Sequence, residues 1–306
     1  MYAATTKDEG NAADGRFSAA CQEEELDMPD LIRSYDNRNQ PIVSPKTGTL
    51  SMTYFNLIRL DKGDEYETRA EGFETLYVVL SGNVDIDVNG KTFQNIGQRK
   101  DIWSGNGDSV YATTGAEVRL HANRDGTEIA VAGGLSDKSF PPFRIPPEEV
   151  QMVDVGSPET RTHRRIFHLL GQNAADRAGN LLVSELYCDD GCWSGYPPHK
   201  HDTERGREET AFEEVYHYRF RPETGFGAQI VFQPDGFSQC FMTRNGDTFL
   251  LDRGFHPTVT SPGHEEYIFT ILVGRYQRSL IQYFNEDYHY LMNRFPGLQD
   301  MRDKFK

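Results

Sequence analysis

Val84-Asp85-Ile86-Asp87-Val88-Asn89-Gly90 decides the fold class. Apolar and acidic residues alternate strictly over the first five positions, the period of a strand with one buried face. Asn89-Gly90 then supplies the positive φ angles that a tight hairpin turn requires. Outward from this hairpin the apolar runs stay at strand length: residues 52–60, 75–80, 109–112, 118–121 and 129–132, with no helix-length period between them. Gly82 and Gly97 supply further turns. The same character returns in residues 181–187, 215–220, 228–232, 238–243, 247–251 and 267–273. Short strands closed by turns predict an all-β chain of two sandwich or barrel units in tandem. Only residues 286–293 read as helical, with Tyr288, Leu291 and Met292 on one face.

Length and composition fit that division. A chain of 306 residues suggests about two domains. Ser139-Phe140-Pro141-Pro142-Phe143-Arg144-Ile145-Pro146-Pro147 places a proline-rich linker at 138–150, because proline cannot donate to a sheet ladder. It separates a first unit at 39–137 from a second at 151–306, and residues 1–38, rich in Ala, Asp, Glu, Gly and Asn, read as a disordered or irregular lead-in. Lys and Arg number 32 against 47 Asp and Glu, a net charge of −15 that argues against nucleic acid or an anionic membrane surface as a partner. The start has no basic leader with an apolar core, and no apolar run reaches spanning length, so a soluble, cytoplasmic protein is expected. The four cysteines match neither a redox pair nor a zinc knuckle and read as reduced, structurally incidental thiols.

The nine histidines are unevenly placed. His199-Lys200-His201 follows Tyr196-Pro197-Pro198, and residues two apart on a strand point to one face. Such a pair alone is also what a surface strand presents. Glu214 opens the aromatic strand Val215-Tyr216-His217-Tyr218, where a buried carboxylate calls for a cation to compensate it. His256, after Gly254-Phe255, would complete the set. Three neutral imidazoles and a carboxylate suit one divalent ion, Zn first, with Mn, Fe or Ni as alternatives, and leave coordination positions open for substrate. His217 is out of phase with Glu214 and should face away. The first unit contains only His121 and should bind no metal; packing and homo-oligomer formation are its expected work.

Trp193-Ser194-Gly195-Tyr196-Pro197-Pro198-His199-Lys200-His201-Asp202, Glu208-Glu209, Phe212-Glu213-Glu214-Val215-Tyr216 and Arg253-Gly254-Phe255-His256-Pro257 together resemble the 5-deoxy-glucuronate isomerases of myo-inositol catabolism, in the cupin superfamily. Phe55-Asn56-Leu57-Ile58-Arg59-Leu60 and Leu76-Tyr77-Val78-Val79-Leu80-Ser81-Gly82 match more loosely. The resemblance implies tandem cupin barrels, a bicupin, with a short C-terminal helix. It also implies an aldose-to-ketose isomerisation of a small uronic acid, 5-deoxy-glucuronate to 2-deoxy-5-keto-gluconate, in which a metal acts as Lewis acid and a carboxylate shuttles the proton. Glu213, Asp202 and Glu209 are the candidates for that base. The insert between His201 and Glu214 leaves Glu213 as a substitute ligand, with Glu214 preferred on strand phase. Tyr218 and Gln229 could bind sugar hydroxyls, and Arg165, Arg253 and Arg275 are candidates to fork the substrate carboxylate. The competing readings are an iron-dependent cupin oxygenase, since the same ligands hold Fe(II), and a non-enzymatic sugar-binding bicupin.

Overall fold

A computed structural model describes residues 31–304 of the chain. The hairpin forms where its pattern requires: Val84–Val88 pairs with Lys91–Ile96 across Asn89 at φ 51° and Gly90 at φ 87°. The apolar runs all become strands, such as Thr53–Leu60, Phe73–Ser81, Leu181–Cys188 and Glu265–Gly274. Glu65–Arg69 and Lys91–Ile96 carry too few buried side chains to give an apolar signal, yet both are strands.

In the first half, five strands lie in the order Phe143–Ile145, Asp108–Ala112, Phe73–Ser81, Thr127–Leu135 and Thr53–Leu60. A four-stranded sheet of Glu65–Arg69, Glu117–Ala122, Val84–Val88 and Lys91–Ile96 faces them. Ile58, Tyr77 and Val79 from one sheet meet Ile86, Val118 and Leu120 from the other. In the second half a seven-stranded sheet runs Leu31–Ile32, Thr248–Leu251, Phe212–Arg221, Glu265–Gly274, Leu181–Cys188, Arg164–Leu170 and Gln151–Val155. Opposite it lie a four-stranded sheet, which includes Phe226–Phe232 and Thr258–Thr260, and the two-stranded pair His199–Lys200 with Tyr283–Phe284.

The class is all-β, as expected, and each half is built of separately hydrogen-bonded sheets around its own core. A further core joins the halves: Phe55, Leu76 and Val78 of the five-stranded sheet pack on Val183, Val215, Phe269 and Ile271 of the seven-stranded one. Burying side chains of this size contributes about 1.5–3 kcal/mol each. The seven-stranded sheet therefore has two buried faces. One looks toward the first half, and the other lines the interior of the second. Period two sorts neighbours between them, so on Phe212–Arg221 the side chains of Glu213, Val215 and His217 face one way and those of Glu214, Tyr216 and Tyr218 the other.

Two expectations are corrected, and the helical reading of the C-terminus holds. Of the lead-in, residues 1–30 lie outside the described residues, but 31–38 are ordered: Leu31–Ile32 pairs with Thr248–Leu251, Arg33 pairs with Asp247 at 2.7 Å, and the buried Asn37 amide donates to Asn56 and Leu57. Of the linker, Phe143–Ile145 is an edge strand on Asp108–Ala112, because the prolines flank rather than interrupt the three residues that pair. At the C-terminus residues 286–291 form a 3-10 helix with no buried residue, and the α-helix is Leu298–Lys304, anchored by Leu298 and Met301. Cys188 and Cys192 are buried and unbridged. No described helix is long and apolar enough to cross a membrane.

Glu266 is fully buried in the second half, with one carboxylate oxygen on Thr260 Oγ1 at 3.0 Å and the other without a hydrogen-bond partner. Burial pushes its pKa up to about 8, against the pull of the Thr260 hydrogen bond. The folded chain thus binds a proton that the unfolded chain has released by about pH 4.5, so stability falls as pH rises from there through 8. Glu266→Gln should raise the melting temperature more at pH 9 than at pH 5, by a stability difference of about 2 kcal/mol or more. Equal shifts at both pH values would show the carboxyl to be solvated.

Candidate metal centre

His199 is placed by the two-residue strand His199–Lys200, which pairs with Tyr283–Phe284, and His201 follows it with its carbonyl accepting from Phe212 N at 2.7 Å. Glu214 stands on the inward face of Phe212–Arg221, and His256 ends the turn after Gly254. All four side chains are nearly inaccessible to solvent. His201 Nε2 lies 3.1 Å from Glu214 Oε2, and His256 Nε2 lies 3.5 Å from the same oxygen. Ligand atoms of His201, Glu214 and His256 all fall within 4.8 Å of one another, so these three could hold a metal ion. His199 stands beside them, its ring centroid 4.9 Å from that of His256 and 6.3 Å from that of His201. Its Nε2 accepts a hydrogen bond from the amide of Gln282 at 3.0 Å.

The donor set fits a cation. His256 Nδ1 donates to the Gly254 carbonyl at 2.8 Å, which leaves the Nε2 lone pair facing a carboxylate oxygen with no hydrogen-bond partner. A buried lone pair aimed at a carboxylate is repulsive unless a positive charge lies between them. The titration behaviour agrees. Burial, reinforced by His201, lowers His256 to about pKa 4, and burial holds His199 well below the ordinary imidazole range with His256 and His201 adding to it. At His201 burial is outweighed by the hydrogen bond and charge of Glu214, which raise its pKa, so its proton occupies the place a cation would take.

The three carboxylates expected to act as base do other work. Glu213 faces the first half, where its carboxylate accepts from Ser51 N and Oγ at 3.0 Å, Met52 N at 2.9 Å and Thr53 Oγ1 at 3.0 Å. Strand alternation sends it away from the cavity that Glu214 enters, which also removes it as a substitute ligand. Glu209 is fully buried and occupied by Lys200 Nζ, Asp202 N, Thr203 N and Arg205, so it closes the 200–209 loop. Asp202 bridges the ligand segments, accepting from Lys200 and from Gly254 N at 2.7 Å. Although burial opposes ionisation, the Gly254 N–H and Lys200 hold its pKa near 2, too low for a base at neutral pH. Glu213→Gln should therefore destabilise the chain by about 2 kcal/mol, because it opposes an amide to the buried Met52 N–H. Metal content and turnover of the folded variant should be unchanged; loss of turnover without loss of stability would restore Glu213 as the base.

The expected substrate contacts are corrected similarly. Tyr218 Oη donates to Gln229 at 2.8 Å, and the Gln229 amide donates to the carbonyls of Ile230 and His256 at 3.0 Å, so this pair supports the ligand turn from beneath. Arg165 lines a cavity of about 280 Å³ between the halves with Trp103 and Tyr187. Arg275 lies 3.6 Å from Glu213 on the outer face, and Arg253 lies beside Asp252. None of the three lines the cavity beside the ligands.

That cavity, about 50 Å³ in volume, is bounded by Arg164, Ser194, Tyr216, Thr270, Gln282 and Met301 in addition to His199, His201 and Glu214. Sequence reasoning missed Arg164 and Gln282. Arg164 shares its face with Ile166, whose apolar side chain marks that phase as inward and was the available signal. Gln282 gave none, since a two-residue strand brings it to the site from far along the chain.

Comparison with known proteins places these features in context. The sequence profile of the KduI/IolB family matches residues 31–291. A 5-deoxy-glucuronate isomerase of Geobacillus thermodenitrificans is 31% identical over 236 residues, covering 76% of this chain and 84% of that protein. One of Lacticaseibacillus casei is 30% identical over 234 residues, covering 76% and 85%. The crystal structure of an IolB-like protein from Salmonella typhimurium superposes with a TM-score of 0.79 at 27% identity, over 86% of this chain and 99% of that one. An oxalate decarboxylase of Bacillus subtilis, 13% identical with a TM-score of 0.58 over 86% of this chain and 81% of its own, shares the fold.

Proposed function

This chain belongs to the KduI/IolB family, and on that premise we propose that it isomerises 5-deoxy-glucuronate to 2-deoxy-5-keto-gluconate, a step of myo-inositol catabolism, with a divalent ion, zinc first, held by His199, His201, Glu214 and His256. The observation that carries the metal part of this reading is the buried His256 Nε2, without a hydrogen-bond partner, facing the Glu214 carboxylate. A divalent ion bound there supplies Lewis acidity to the aldehyde and the adjoining hydroxyl of the sugar.

The chain's own residues do the rest. The Gly254 carbonyl fixes the His256 tautomer, Asp202 ties its turn to the His199-Lys200-His201 segment, and Gln229 holds its carbonyl from below. The donors are thus set before any substrate arrives, which is what a preorganised site requires. Burial, aided by Glu214, keeps the Tyr216 phenol protonated far above its ordinary range, so it can donate a hydrogen bond to an oxygen that gains negative charge. Leu280, Gln282 and Met301 line the cavity beside these donors.

Purified protein supplied with a divalent metal and 5-deoxy-glucuronate should form the ketose, followed by NMR, at the same rate with and without oxygen. Absence of ketose would sink the isomerase reading, and oxygen consumption coupled to turnover would favour an oxygenase.

A further inference from the structure

Arg164 is 1% exposed, one of the largest fully buried side chains of the described chain, and on Arg164–Leu170 it lines the same cavity as His199, His201 and Glu214. Nη1 donates to the Thr162 carbonyl at 2.9 Å and Nη2 to the Tyr196 carbonyl at 3.0 Å. Two of its five N–H groups are thus engaged by neutral acceptors. Burial lowers its pKa to about 10, opposed by Cys188, Tyr216 and Cys192, none of them a carboxylate.

The other buried arginines contrast with it. Arg99, likewise removed from solvent, forks onto Glu185 at 3.0 and 2.5 Å, and Arg278, which donates to backbone carbonyls as Arg164 does, has the Glu74 carboxylate acting on it. A guanidinium removed from water without a counter-ion is costly, and a chain that keeps one beside a cavity gains when an anion enters. Its planar donor edge matches a carboxylate in two parallel hydrogen bonds. The alternation that turns Arg165 outward to the cleft between the halves turns Arg164 inward.

We propose that Arg164 binds the carboxylate of the substrate and makes the site selective for sugar acids over neutral aldoses. This rests on the isomerase reading above. Binding the acid end there orients the chain of the sugar so that its aldehyde end points toward His201, Glu214 and His256.

The test compares wild type, Arg164→Gln and Arg164→Lys on 5-deoxy-glucuronate and on the neutral analogue in which the carboxyl is replaced by a hydroxymethyl group. Arg164→Gln should lose about 100-fold in kcat/KM on the acid, mostly in KM, and change little on the neutral sugar, as expected for one buried charge-assisted pair. Arg164→Lys should recover part of the loss. Equal losses on both sugars would overturn the assignment, since they would show that Arg164 only braces the Tyr196 carbonyl, and so would an unchanged KM. Calorimetric binding of 2-deoxy-5-keto-gluconate to metal-free wild type and variant, with melting temperatures alongside, separates lost recognition from misfolding. Binding retained by Arg164→Gln would contradict the proposal. Wild type inactive on the acid would instead refute the isomerase reading.

Discussion

Replacing His256 with alanine should leave a folded chain that retains no stoichiometric metal and forms ketose about 1,000-fold more slowly. His256 contributes a lone pair that has no other partner, 3.5 Å from the Glu214 oxygen that also meets His201. Without it the tight trio with His201 and Glu214 is broken, and of the four proposed ligands only His199, His201 and Glu214 remain. A Lewis acid at a developing negative charge contributes several kcal/mol to the transition state, and about 4 kcal/mol corresponds to that rate factor. His256→Asn is the matched control. Its amide N–H can still donate to the Gly254 carbonyl and keep the turn, yet it supplies no nitrogen lone pair toward the metal. Both variants should lose metal to the same extent, measured by elemental analysis of the purified protein. An alanine variant that keeps both metal and rate would remove His256 from the site.

The second large effect concerns the joint between the halves. Glu185 of the seven-stranded sheet receives Arg99 from the first half in a two-point hydrogen bond and also the Tyr267 hydroxyl at 2.9 Å, with Arg99 and Glu185 side chains 3% and 1% exposed. The carboxylate more than offsets the burial of the guanidinium and raises its pKa. Glu185→Ala leaves that charge buried and alone, which costs about 3–5 kcal/mol. Chemical denaturation should show this loss. Replacing both residues with apolar side chains of similar volume should recover most of it, because the large penalty belongs to the unpaired charge. A Glu185→Ala chain as stable as wild type would mean that water reaches Arg99.

Much of this was legible in the amino-acid sequence. The Val84-to-Gly90 hairpin carries the class, and the His199-Lys200-His201 spacing with Glu214 and His256 points to residues that the fold brings together, because candidate metal ligands need particular atom types in one strand phase. Strand phase also separates Glu214, which lies with His201 and His256, from Glu213, which faces the first half. The same alternation on Arg164–Leu170 turns Arg164 inward with Ile166 and Arg165 toward the cleft between the halves, a distinction that residue type alone does not make. Asp202 and Glu209 looked like bases because a charged insert carries no period from which to judge direction. Their hydrogen bonds to Lys200, Arg205 and Gly254 are loop contacts that no local pattern encodes. Gln282 reaches His199 only through the pairing of His199–Lys200 with Tyr283–Phe284, a contact 83 residues apart in sequence. Residues 31–38 adjoin the acidic segment before them in sequence, although Leu31–Ile32 completes the edge of a sheet made by the distant second half.

The most direct measurement is a metal titration of chelator-stripped wild-type protein, following ketose formation from 5-deoxy-glucuronate and bound metal together. The stripped chain should be inactive, and activity should return in proportion to bound zinc and saturate at a single ion per chain. Full turnover by the stripped chain, or equal recovery by His256→Ala, would contradict the account.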